Sequence, residues 1–122
     1  MTELDNLPGS RCLIHADLGA GNLLKTPAGL APIDFSLSGC GHRAQECGMA
    51  AYNFREPEQR EQVRRSYEAA GGVEITPHHL DAFGAFSILL FITTQHDKVW
   101  REDWFQENMA RWCETEFVRA LE

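Results

Sequence analysis

His15, Asp17 and Asn22 lie in the stretch CLIHADLGAGNLL, residues 12–24, between two apolar runs and with Gly19 and Gly21 among them. Asp34 follows twelve residues after Asn22, inside Ile33-Asp34-Phe35-Ser36. A loop brings Asp17 and Asn22 to one mouth, and a hairpin returning from Asn22 sets Asp34 beside them. Two carboxylates and one amide oxygen then converge at one end of a ribbon. All are hard oxygen donors, a set that suits Mg²⁺ rather than zinc. Mg²⁺ takes only one or two protein oxygens and leaves its other positions to water and phosphate. The chemistry to which the spacing points is the handling of phosphate.

The elements that must position these groups can be read along the chain. Residues 12–14 form a short apolar run suited to a strand, and residues 15–22 form a loop. Residues 22–25 and 30–35 read as two further strands joined by Thr26-Pro27-Ala28-Gly29, where Pro fixes φ and Gly is free to take φ > 0. A ribbon of two or three strands is marginal in water and has to pack on helices.

The remainder reads as helical. Glycine-rich Ser38-Gly39-Cys40-Gly41 leads into a helix over 46–54, and Pro57 opens another that Gly71-Gly72 ends. Val63, Tyr67 and Ala70 share one face of that second helix. Thr76-Pro77 signals a third start, and the helix to about Thr94 is apolar nearly all round, as expected of a central buried element. A final helix begins near Asp103 with Phe105, Met109, Cys113, Phe117 and Leu121 as an i+4 ladder and Trp112 beside it, a pattern of core packing. The fold class expected is α+β, mainly helical, in a single domain over 1–122.

With 122 residues and 43% apolar content, one core is feasible and disorder is excluded. The net charge of −7 argues against nucleic acid or an anionic membrane as partner, since both attract basic surfaces. The most apolar stretch, Phe86 to Ile92, is seven residues long, too short to span a bilayer. Four cysteines without a C-x-x-C pair, and no signal peptide, fit a reducing cytoplasm.

Other chemistries are less well supported. His15, Asp17 and His42, with His78, His79 and His96, match no zinc-hydrolase spacing such as H-E-x-x-H. Cys40 and His42 are neighbours without a third group to orient them. Glu102, Asp103, Glu107, Glu114 and Glu116 fit either a pocket for a cationic substrate or a solvated helix face, and the second is the simpler account.

The pair His15-Ala16-Asp17-Leu18-Gly19-Ala20-Gly21-Asn22 and Ile33-Asp34-Phe35-Ser36 resembles the catalytic core of the aminoglycoside phosphotransferase and choline kinase group, H-[GA]-D-x-x-x-x-N followed by I-D-F/W. The likeness continues into residues 39–47 and is good over 12–54. It implies the C-terminal lobe of a protein-kinase-like fold, with about four helices and a small hairpin beside the catalytic loop. It implies ATP and Mg²⁺ as cofactors and a small-molecule hydroxyl as phosphate acceptor. Asp17 would be the catalytic base, Asn22 and Asp34 would hold the metal, and His15 and Glu46 would support the loop. No nucleotide-binding residue beyond these is implied.

Four positions depart from the family pattern. Ser36 stands where protein kinases have Gly, Glu46 where the family has Asp, and His42-Arg43 where it has Asp-Pro. Arg43 either reaches phosphate or covers the helix start, and the second is favoured. Eleven residues precede Cys12, and the only lysines, Lys25 and Lys98, follow the loop. An N-terminal lobe with its strand lysine is therefore expected from elsewhere, a longer parent or a separate chain. The rival expectation is a non-catalytic remnant that binds a partner, or a second copy of itself, through a face near Leu13, Ile33 and Phe35.

Overall fold

The computed structural model describes residue 6 and residues 9–71 and 73–122. The expected loss of helix at Gly72 lies outside the described residues. Chain order is β1 (Arg11–Ile14), a 3₁₀ turn (Ala20–Asn22), β2 (Leu23–Thr26), β3 (Gly29–Pro32), β4 (Gly39–His42), α1 (Arg43–Ala51), α2 (Pro57–Gly71), α3 (Pro77–Val99), α4 (Asp103–Glu114) and α5 (Glu116–Leu121). The architecture is mainly helical with small antiparallel sheets, an α+β arrangement.

The strands do not join into one ribbon. β2 pairs with β3, Leu23 opposite Pro32 and Thr26 opposite Gly29. β1 pairs instead with β4, Arg11 opposite His42 and Ile14 opposite Gly39. β4 falls in the glycine-rich stretch expected only to lead into the next helix. Its Gly39 and Gly41 carry no strand propensity, and its strand form comes from the antiparallel partner that β1 supplies. The third strand also stops short of the expected Phe35, at Pro32. Asp34 lies two residues beyond it with φ 59°, a left-handed conformation that cannot continue a strand.

Helix starts follow local signals. Thr76 caps α3 in a capping box: its hydroxyl accepts from His79 N at 3.1 Å, and His79 Nδ1 accepts from Thr76 N at 3.4 Å. Pro77 occupies the first turn, where its missing N–H costs nothing. α1 begins at Arg43, three residues before the expected Glu46, because β4 runs directly into it.

Two cores result. Ala44, Cys47, Ala51, Ile75 and Leu80 form the first, with Val63, Tyr67 and Phe83 against it. Ile88, Phe105 and Trp112 form the second, with Tyr52, Phe91, Met109 and Phe117 around it. α3 joins the two, packing on α1 near its start and on α5 further along. It runs to Val99 rather than Thr94, and it is not buried all round: Phe86 and Leu89 lie 40% and 48% exposed.

The expected final helix is broken at Thr115, whose backbone (φ −122°, ψ −68°) is non-helical. Its hydroxyl donates back to Arg111 O at 2.7 Å. The i+4 ladder packs the core only in part, with Met109 and Phe117 against the second core. Phe105 is buried, but Cys113 is exposed and Leu121 is 88% exposed. The break turns Glu116 inward, where its carboxylate lies 4.0 Å from the buried Arg60 guanidinium.

Candidate active site

The loop between β1 and β2 is held at several points. His15 follows β1 and is buried. Its Nε2 donates to Ile33 O at 2.8 Å, so that nitrogen carries the proton, and the ring lies 4.6 Å from that of Phe35. Ala16 has φ 62°, unusual for a residue with a Cβ. Glu46, buried in the first turn of α1, answers that strain with both oxygens. Oε1 accepts from His15 N at 3.2 Å and Oε2 from Ala16 N at 2.9 Å.

Asp17 and Asn22 meet directly. Asn22 Nδ2 donates to Asp17 Oδ2 at 2.9 Å and to Asp17 O at 2.9 Å. Both amide hydrogens are thereby committed, and Oδ1 is the only polar atom Asn22 has left for another partner. Asp17 keeps Oδ1 available in the same way. The 3₁₀ turn sets the spacing, with Asn22 N donating to Gly19 O at 2.9 Å. Gly19 is required there by close approach, because a Cβ would fall 2.8 Å from Asn53 Oδ1.

Asp34 is reached through the backbone. Ile33 N donates to Asn22 O at 2.9 Å, while Ile33 O accepts from the His15 ring. The residue before Asp34 is thus gripped by both ends of the loop. The Asp34 carboxylate does not bond to the Asp17–Asn22 pair; its Oδ1 accepts from Ser36 N at 3.3 Å. Hydrogen bonds from Ser36 hold its carboxyl below the usual range, against a small opposing effect of burial and with help from His15. It stays ionised. Among the described residues no three His, Cys, Asp or Glu side chains group closely enough to hold a metal ion. The set here has two carboxylates and an amide, all oxygen, which fits a hard cation completed by water and phosphate oxygens rather than a closed protein cage.

Several contributors carry weak sequence signals. Asn53, just past α1, donates to Leu18 O at 3.4 Å, Met49 O at 3.2 Å and Ala50 O at 3.1 Å, tying the loop to the helix end. Asn53 and Ser87 line a cleft of about 80 Å³ together with Asp17. Ser87 could have been noticed as the single hydroxyl within the apolar run 86–92; nothing local marks Asn53. Arg43 donates to Gly71 O at 2.9 Å, closing the end of α2, so it is held away from a phosphate role. Glu102, Asp103, Glu107 and Glu114 are exposed on α4 and before it, while Glu116 alone turns inward.

No helix among the described residues is long and apolar enough to cross a membrane. No curated protein and no solved structure matches the chain. The model of the phosphotransferase enzyme family matches residues 2–83, a span from before β1 into α3 that takes in His15, Asp17, Asn22, Asp34 and Glu46. A match over more than half of the sequence, running through the loop and hairpin just described, shows that the chain belongs to the phosphotransferase enzyme family, the group its H-A-D-x-x-x-x-N and I-D-F segments resemble.

Proposed function

We propose that the chain forms the C-terminal, kinase-like half of an ATP- and Mg²⁺-dependent phosphotransferase acting on a hydroxyl of a small molecule in the cytoplasm. The hydrogen bond from Asn22 Nδ2 to Asp17 Oδ2 carries the reading. It aims one carboxylate oxygen at an acceptor and leaves the Asn22 oxygen for a cation. Asp17 is the base: it orients the acceptor hydroxyl and takes its proton as the new O–P bond forms. The bond from the γ-phosphorus to its bridging oxygen breaks, and ADP leaves. Asn22 Oδ1 and Asp34 would hold Mg²⁺, which when bound neutralises charge on the transferring phosphate. His15 and Glu46 fix the loop so that no reorganisation is needed at the moment of transfer.

The lysine-bearing strands that cover the nucleotide in such enzymes are expected from another segment or chain. Exposed Leu13, Leu24, Leu30, Ile33, Phe35 and Leu37 on and beside the strands support a covering partner there, a lobe of that kind or a second copy.

Mn²⁺ in place of Mg²⁺ tests the reading on this chain with a non-hydrolysable ATP analogue present. Paramagnetic broadening should strike the Asn22 and Asp34 amide signals first and weaken in Asp34→Asn. Broadening confined to other residues would refute the metal assignment. In the complete assembly, Asp17→Asn should lower transfer by about 10²–10⁴-fold with melting unchanged; full turnover in that variant would remove Asp17 from its role.

A further inference from the structure

The Asp17 cleft adjoins a larger cavity. Asn53 and Ser87 line both, the second having a volume of about 250 Å³. Phe91 and Trp112 give this cavity an aromatic wall, and Arg55, Arg60 and Arg111 give it a cationic side. Much of it, including Ser87, Phe91, Arg111 and Trp112, comes from residues beyond the family match at 2–83.

The charges in the cavity do not balance. Glu116 is the single carboxylate among the described residues that line it, and it lies against Arg60 at 4.0 Å. Arg60 is further committed, with Nε donating to Phe54 O at 2.7 Å and the guanidinium 4.5 Å over the Tyr52 ring. Arg111 bonds by side chain only to the neutral Asn108 amide, at 2.7 Å. Arg55 has no side-chain partner among the described residues. Among the described residues two guanidinium groups thus face one cavity without a counter-charge, on a chain whose net charge is −7. Burial, and after it the nearby Arg119, lower the Arg60 pKa, and the Asp81 carboxylate partly opposes them. The exposed carboxylates of α4, the sequence feature that would have suited a cationic substrate, do not line it.

We infer that the acceptor is an anionic hydroxyl compound, its carboxylate or phosphate held by Arg55 and Arg111 in the larger cavity and its hydroxyl reaching Asp17 past Asn53 and Ser87. The inference rests on the phosphotransferase reading of Asp17 and goes beyond it by naming the acceptor's charge. A guanidinium matches the planar geometry of a carboxylate or the face of a phosphate with paired N–H donors. The aromatic wall takes the carbon skeleton. A cationic acceptor would place like charges together, and a neutral one would leave both arginines unmatched.

Calorimetry on the full 122-residue chain, with Trp emission as a second readout, tests this with four probes: gluconate, glycerol 3-phosphate, sorbitol and choline. At least one anion should bind saturably and about tenfold or more tighter than sorbitol and choline, the size expected of a charge-assisted bond. The better of the two anions tells carboxylate from phosphate. Arg111→Ala and Arg55→Ala should each weaken the anion about tenfold and leave the melting temperature in place. Choline or sorbitol binding as tightly as the anions, no anion binding up to millimolar concentration, or anion binding indifferent to both substitutions would overturn the inference. Loss of anion selectivity while Mn²⁺ still broadens Asn22 and Asp34 would sink the acceptor assignment alone. Anion binding without that broadening would sink the metal reading alone.

Discussion

Glu46→Gln probes the clamp on the catalytic loop. Each Glu46 oxygen accepts one backbone N–H, from His15 at 3.2 Å and from Ala16 at 2.9 Å. Glutamine keeps one acceptor and turns its NH₂ toward the other donor. One N–H at a buried carboxylate then loses its partner, a cost of about 1–3 kcal/mol, and the surviving bond loses its charge, a further cost of about 1 kcal/mol. Relief of the carboxylate's own desolvation offsets part of this. The net expectation is about 2 kcal/mol, a considerable share of the roughly 5–15 kcal/mol typical of a domain. At about 4 °C per kcal/mol for a chain of this size, melting falls by about 8 °C. Ala16 supplies a cross-check. Its φ of 62° is strained by about 1 kcal/mol for a non-glycine residue, so adding Ala16→Gly to the Gln variant should recover about that much. Thermal melting gives the energy, and amide exchange at His15 and Ala16 gives the location. A Gln variant melting within about 2 °C of the parent, with both amides still protected, would refute the clamp.

Two further outcomes follow from packing and charge. Gly84→Ala places a Cβ against the Tyr52 ring, which Arg60 also covers, so it should destabilise by about 1–3 kcal/mol despite alanine's better helix propensity; a raised melting temperature would contradict that packing. Hydrogen bonds from Arg64 and Arg65 pull the Glu61 carboxyl from its ordinary 4.5 down to about 2, so the folded state favours its ionised form. Its stabilising contribution is fully present above pH 4.5 and fades as pH falls toward 2. Glu61→Gln should flatten that part of the stability curve in urea titrations, and an unchanged acid slope would count against the ion cluster.

How much was legible in the sequence follows from the range of each interaction. Thr76-Pro77 and Pro57 announced helices because caps act within one turn, and both helices begin there. The Asp17–Asn22 juxtaposition was readable because a loop of five residues closes on itself with little freedom. β4 was not readable: Gly39, Cys40 and Gly41 have no strand preference, and only the tertiary presence of β1 decides their conformation. The strand over 30–35 was overextended because Ile33 and Phe35 alternate as a strand would, while the left-handed turn at Asp34 is set by contacts with Asn22, His15 and Ser36. The Thr115 break and the Arg60–Glu116 pair are equally non-local, joining residues 56 positions apart. The larger cavity was invisible for the same reason, since Arg60 and Arg111 come from α2 and α4 and Arg55 from the segment before α2.

One fully buried side chain of the first core is itself a chemical clock. Cys47 has no exposed surface, and burial pushes its thiol up to about 12. At neutral pH it offers electrophiles neither a thiolate nor a path, whereas Cys40 and Cys113 lie at the surface and Cys12 is half-buried. Once those three are replaced, alkylation of the remaining sulfur waits for the α1–α3 seam to part. The labelling rate of a single atom then records how often this half of the molecule breathes.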